Sequence, residues 1–499
     1  MSDHILAIDI GTQSARASIV TGAGGILGIA QIKHEVDSPH PGWARQKAGD
    51  WWSETCQAIR EVLAETAVDP ASLAAVASCG QMHGPVGIDK DGRVTNEWVQ
   101  LWCDKRCDAQ AERIRREHDE HRLAAIAGSS TNPAWVGIKV RWHKDHEPGV
   151  YERAEWFLVP KDFINYRLTG VAAADPSEAS GSFLWDSTRD AYSEELAEAV
   201  GVDLRKFAPV HPSHEIIGKV TREAATATGL VAGTPVVAGG GDFPASMLGF
   251  GIAGEGVTAD VTGTSTLLAA HTPQPLLDPA IQNLRHVVDG WIPFTILDCG
   301  GMSIKWCKDL VSSFRGEEIS YEDLARLAAE APIGSNGLHF YPYMLGERRR
   351  ENTSARGGYL GIELGHAAPQ FVRAVMESVA LAMGKDVTQF RKHGHAVERI
   401  MSVGGGTRNH LLNRIKADVV GVPLELSDEP EAGLKGVALL AARGVGMIDD
   451  PARTALERRT VTQQVDPEPE SVAAYRPVLD EFIRTYEHML GFWHKENTR

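Results

Sequence analysis

Three glycines run into an acid at Gly239-Gly240-Gly241-Asp242. Glycine allows backbone angles and close approach that other residues resist, so a carboxylate directly behind three of them stands where a substrate can come near. From there it can take a proton from a hydroxyl attacking phosphorus, which is general-base catalysis of phosphoryl transfer. Asp242 also suits the N-cap of a helix starting near Pro244, and the two roles are compatible. A second group is Gly80-Gln81-Met82-His83-Gly84. Its amide and imidazole offer hydrogen bonds to hydroxyls and its thioether an apolar wall for carbons, as a polyol requires, although a histidine at a strand end also serves structure alone. Beyond it, Leu101-Trp102-Cys103-Asp104-Lys105-Arg106 reads either as an aromatic platform with charges or as an ordinary Asp-capped helix start.

Phosphate needs N–H donors without bulk. The turn Gly11-Thr12-Gln13-Ser14 supplies them as a nest between two apolar strands, with Asp9 just before it. An echo follows at Asp260-Val261-Thr262-Gly263-Thr264-Ser265. One such hairpin is commonplace; the pair points to a nucleotide clamped between two similar domains. Gly404-Gly405-Gly406-Thr407-Arg408-Asn409 and Gly300-Gly301 are further glycine turns at helix starts, suited to close approach of a nucleotide. No Walker sequence, no Rossmann fingerprint with a trailing acidic residue and no Gly-x-Ser-x-Gly elbow is present.

The elements that must carry these groups follow from periodicity. Apolar strands open the chain and a third extended stretch covers 26 to 36. Asp50 then caps a helix carrying Trp51, Trp52, Cys56, Ile59, Val62 and Leu63 at helical spacing. Leu73 to Cys79 is a short buried strand, and 104 to 127 is helical and charged. Strands are expected at 281–288, 291–298 and 399–403, and helices from about 302, over 367–393, over 408–420 and from Glu431. Hairpins followed by helix–strand alternation, once per half, describe a duplicated α/β architecture, with the boundary at the end of the first half: residues 1–248, then 249–499.

A chain of 499 residues suits two domains, and 43 % apolar with 23 % charged residues is ordinary for a soluble globular protein. The net charge of −16 argues against nucleic acid or an anionic membrane as main partner. The six cysteines form no Cys-x-x-Cys pair, as in a reduced cytoplasmic protein. Cys103/Cys107, His118/His121 and His143/His146 are not linked by zinc spacing. A signal peptide and a membrane span are not expected.

Taken together, these segments resemble the FGGY carbohydrate kinases, the xylulokinase-like branch most closely. The resemblance rests on Asp9-Ile-Gly-Thr12, the 80–84 turn, Pro160-Lys-Asp-Phe-Ile-Asn-Tyr-Arg-Leu-Thr-Gly170 and Asp175-Pro-Ser-Glu-Ala-Ser-Gly181. It rests also on Gly240-Gly-Asp242, Gly263-Thr-Ser265, Gly346-Glu-Arg348, Gly357-Gly-Tyr-Leu-Gly-Ile362, Gln370-Phe371, Ala374-Val-Met-Glu377 and Gly404-Gly-Gly406. It implies two actin-like (ribonuclease-H-like) ATPase domains with a cleft between them, sugar mainly on the first and ATP mainly on the second. Asp242 would be the catalytic base. Gln81, Met82 and His83, helped by Asp104 and Phe243, would meet the sugar. Gly11, Thr12, Gln13 and Arg16, with Gly263, Thr264 and Gly301, would hold phosphates, and Gly405, Gly406 and Asn409 the adenine side. Asp9 would face Mg2+ through water. The resemblance implies a cytoplasmic enzyme acting on a small sugar or polyol, a ketopentose such as xylulose or ribulose above others, and leaves room for a homodimer. Three departures stand out: Phe243-Pro244 where xylulokinases usually carry Asn, Cys103 where Asn is common, and His143 in an apolar slot. The competing readings are an actin-like ATPase acting as chaperone or filament subunit, and a regulatory homologue without turnover.

Overall fold

The structure is a computed structural model and describes residues 3–347 and 354–496. Arg348 of the expected Gly346-Glu-Arg348 segment lies outside the described residues. The chain forms two compact units, one of Met1–Gly254, Pro273–Ile292 and Glu431–Arg459, the other of Glu255–Thr272, Pro293–Pro430 and Thr460–Arg499.

In the first unit, β1 (His4–Ile10), β2 (Ser14–Thr21) and β3 (Ile26–Lys33) form an antiparallel meander. Next come β4 (Leu73–Gly80), β5 (Ile216–Lys219) and β6 (Pro235–Val237), giving the order β3-β2-β1-β4-β6-β5. β1, β4 and β6 are parallel, and β5 closes the edge antiparallel. Alternation along β1 sends Leu6, Ile8 and Ile10 into one core with Trp51, Ile59 and Val62 of α1 (Ala48–Thr66). It sends Ile5 and Ala7 into another.

The second unit repeats the plan. Its strands are β7 (Val257–Thr262), β8 (Thr266–Ala270), β9 (Trp291–Leu297), β10 (Arg399–Val403), β11 (Leu424–Leu426) and β12 (Gln463–Val465). Along β9-β8-β7-β10-β11-β12 the pairings run antiparallel, antiparallel, parallel, parallel, antiparallel, the same series as in the first unit. The expected duplicated α/β architecture is therefore present. The core of this unit gathers around a 25-residue helix, Ala368–Lys392, with Phe340, Tyr341, Tyr475, Phe482 and Trp493.

Three local expectations shift. Asp50 is not a cap: α1 begins at Ala48, so Asp50 lies in its first turn, where its charge still favours the helix N-terminus. The 104–127 helix is two, Asp108–Glu117 and Glu120–Ala127, because the Asp119 carboxylate accepts the Arg122 N–H and starts a new helix. The strand expected over 281–288 is shorter, Gln282–Arg285.

Candidate active site

In the first unit the glycines before Asp242 are dictated by their neighbours. Gly239 has φ +73°, and a Cβ there would lie 2.0 Å from Ser78 O. A Cβ on Gly241 would meet Met82 Sδ at 2.8 Å. Only hydrogen fits, so Gly240 and Gly241 lie in register beside Cys79 and Gly80 at the end of β4. This joins the 80–84 turn to the segment carrying Asp242. Asp242 is the first residue of the helix Asp242–Gly249, with Gly241 as its N-cap, so the capping role expected of Asp242 falls to Gly241. Its Oδ1 accepts the Phe243 N–H at 2.7 Å. Burial, with the negative charge of Asp9 added, pushes its carboxyl up to about 7.

Asp9 and Arg16 face each other across β1 and β2, and the register alone makes them an ion pair. Arg16 Nη1 also reaches Glu431 Oε2, 2.6 Å away, at the N-cap of the helix Ala432–Gly444. Asp9 Oδ2 is thus held by Arg16, whereas Asp9 Oδ1 is buried and accepts no hydrogen bond. A lone carboxylate oxygen beside a second carboxyl suits a hard divalent cation. No group of three His, Cys, Asp or Glu among the described residues could hold one by itself, so such an ion would depend on water and substrate oxygens.

The turn after Asp9 is braced from outside. Gln46 Nε2 donates to Thr12 O (2.8 Å) and Trp102 Nε1 to Thr12 Oγ1 (3.1 Å). Gln81 donates to Gln46 Oε1 (2.8 Å) and accepts from Thr12 Oγ1 (3.3 Å), so its amide is engaged with the turn. Met82 is buried against Gly241. His83 sits at φ +72°, edge-on to Trp135 at 5.0 Å, and its buried Nδ1 has no hydrogen-bond partner. Burial and the Lys139 charge lower it to about 3, so the imidazole is neutral and can only donate or accept hydrogen bonds. Asp104 has both oxygens engaged, by Ala44 N (2.7 Å) and by Arg106, whose guanidinium lies over Trp43 at 3.6 Å.

The second unit gathers the other expected turns. Met302 N donates to Thr264 O (2.9 Å) at the start of the helix Gly300–Arg315. A Cβ on Gly406 would meet Thr262 Cγ2 at 2.6 Å, which brings the 404–406 turn against the same β7 end. Asn409 caps the helix His410–Val420 through its Oδ1. Under the turn, Lys416 Nζ pairs with Asp260 Oδ2 (2.6 Å) and Thr262 Oγ1 (2.7 Å), and both charged side chains are about 1 % exposed.

The family model described as "FGGY family of carbohydrate kinases, N-terminal domain" matches residues 4–249, and its C-terminal counterpart matches 259–445. The chain belongs to the FGGY family of carbohydrate kinases. This FGGY kinase is 28 % identical to a xylulose kinase of Bacillus subtilis over 97 % of both chains. It is 27 % identical to an autoinducer-2 kinase of Klebsiella pneumoniae over 98 % of this chain and 94 % of that one. A solved xylulose kinase of Rhodospirillum rubrum superposes with TM-score 0.92 at 28 % identity, covering 98 % of this chain and 100 % of that one. The fold is accordingly that of the actin-like ATPase domains. No helix among the described residues is long and apolar enough to cross a membrane.

The sequence alone does not reveal the roles of Gln46, of Glu431 as partner of Arg16, or of the Lys416–Asp260 pair in this FGGY kinase. Asp260 was in view as part of the echo, but its partner lies 156 residues away. Lys416→Met strands a buried carboxylate and is expected to cost about 3–5 kcal/mol. The check is the urea midpoint of the transition reporting the second unit, with Asp260→Leu added to Lys416→Met recovering most of the loss.

Proposed function

We propose that this kinase transfers the γ-phosphoryl group of ATP to a primary hydroxyl of a small sugar or polyol, a ketopentose such as xylulose or ribulose first. Asp242 takes the hydroxyl proton, the freed oxygen forms its bond to the γ-phosphorus, and the bond to ADP breaks. The observation that carries this reading is Asp242 itself. Its carboxyl stands near neutrality behind a glycine segment that touches the Met82 wall, with Asp9 as charged neighbour. Met82 and the neutral His83 bound the acceptor, with Phe243 next to the base. Gln81 and Asp104 act one step back, on the Thr12 turn and on Arg106. Gly11, Thr12, Gln13 and Arg16, with Gly263, Thr264 and Gly301, hold phosphate oxygens, and Gly405, Gly406 and Asn409 the adenine side. Asp9 would hold a magnesium ion through water, and such an ion would supply charge neutralisation at the phosphates.

The test is ADP release across pentuloses, hexuloses and tetritols. Strong dependence on one acceptor supports the proposal, and hydrolysis equal with and without every acceptor sinks it. On the acceptor found, kcat/KM should fall about tenfold per pH unit below about 7, because protonated Asp242 cannot accept the hydroxyl proton. Constant kcat/KM from pH 5.5 to 8 would remove Asp242 from that role.

A further inference from the structure

The segments Pro160–Gly170 and Asp175–Gly181 have no part so far in the chemistry, yet they converge on the backbone that delivers Asp242. Lys161 is buried and pairs with Asp162 and with Asp175 Oδ1, the latter at 2.9 Å, while also donating to Ala238 O at 3.1 Å. Burial opposes its charge, but these carboxylates outweigh burial and hold its ammonium above the usual range. Asp175 Oδ2 accepts from Ser177 Oγ (2.7 Å), Ser177 N (3.0 Å) and Ser213 Oγ (3.0 Å). With its proton committed to Asp175, the Ser177 oxygen turns a lone pair to the Gly241 N–H, 3.0 Å away. Gly241 is the N-cap of the Asp242 helix. Each member of this line is buried.

A structural purpose alone would need only that the strand end be paired. Here the segment is gripped group by group: Asn165 Nδ2 takes Ala238 O (2.9 Å), Ser213 O takes the Gly239 N–H (2.9 Å), and Ser177 takes the Gly241 N–H. The last of these is one peptide from the carboxylate. Glu178, on the same short helix as Ser177, is buried with no hydrogen bond to either oxygen. Burial pushes it well above its ordinary value, which favours its uncharged form, and the ion pairs of Lys161 are with Asp162 and Asp175.

We propose that Lys161, Asp175 and Ser177 form a positioning relay that orients the Gly241 peptide and through it the catalytic carboxylate of Asp242. Lys161 fixes Asp175, Asp175 fixes the rotamer and proton of Ser177, and Ser177 fixes the peptide whose turn aims the Asp242 side chain. The inference rests on Asp242 being the base.

The test is kinetic, on the full chain with the acceptor found by the screen. Ser177→Ala removes the single link and should lower kcat about tenfold or more, since sub-ångström misplacement of a base is costly, with KM for ATP nearly unchanged. Ser177→Thr keeps the oxygen and should restore kcat. If Ser177→Ala does not fold, Ser177→Cys, similar in volume but a poor acceptor, carries the same comparison. A brace without catalytic consequence would lower the melting temperature and leave kcat per folded molecule intact, which would overturn the relay. In the Asp242→Asn background, Ser177→Ala should cost nothing further; a second tenfold loss would show that Ser177 acts elsewhere. Full turnover by Asp242→Asn alone would refute the base instead, separating the two failures.

Discussion

Asp242→Asn should lower kcat by about 10² or more while ATP and acceptor still bind nearly as before. The amide keeps the size of the carboxylate and can still accept the Phe243 N–H through its oxygen, so the helix start is preserved. What it loses is proton affinity. The acceptor hydroxyl must then reach phosphorus with its proton still on, and the barrier rises in the step where the base acts, which is why kcat and not KM carries the loss. Stability should move the other way. The folded carboxyl is raised to about 7, so folding favours its protonated form. The stabilising contribution from this group is complete below its unfolded value near 4 and is lost as pH rises through about 7. Above pH 7 the wild-type protein holds a disfavoured charge near Asp9, and the asparagine variant does not. At pH 8 the variant should therefore melt no lower than the wild type. Steady-state kinetics, calorimetric titration with a non-hydrolysable ATP analogue and a melting curve decide the matter. Normal turnover removes Asp242 from the chemistry, and lost nucleotide binding makes it a structural or phosphate-side residue instead.

Much of this arrangement was legible in the residues because it depends on short-range rules. A Gly-Thr turn between two strands forms a hairpin at Gly11 and, one residue shorter, again at Gly263, and the glycine run before Asp242 announces backbone that no side chain could share. The long helix over 368–392 follows from an unbroken apolar period. What was hidden depends on partners distant in the chain. Arg16 lies 415 residues from Glu431, and Gln81 lies 35 from Gln46, and no local pattern links such residues. That distance explains why Gln81, which by type suits a sugar hydroxyl, turns out engaged with Thr12 and Gln46. Asp104 was ambiguous for the opposite reason: its partner Arg106 is two residues away, but whether the pair is a clamp depends on Trp43 folding back over the guanidinium. The break at Asp119 was readable as a cap and lost to the surrounding run of helix-forming charges.

Gly301→Ala should reduce kcat/KM for ATP by about 10², with acceptor binding retained. The obstacle is backbone, so it cannot swing aside: a Cβ at 301 would lie 2.0 Å from Gly263 O. Either the helix Gly300–Arg315 shifts its first turn, or the Gly263–Thr264 turn moves off the end of β7. In both cases the Met302 N–H contact to Thr264 O is strained, and the donors of the proposed phosphate turn lose their aim. Acceptor binding should survive because Met82 and His83 belong to the other compact unit. Gly405→Ala is the matching control, since a Cβ there has no protein atom within 4 Å and its φ is not in the left-handed region. That variant should melt like the wild type, and any rise it causes in KM for ATP then reports a nucleotide passing close to Gly405. Gly301→Ala, by contrast, should lower both the melting temperature and the efficiency with ATP. If Gly301→Ala leaves kcat/KM for ATP unchanged, the 263–264 turn does not hold phosphate, whatever its likeness to the turn at Gly11.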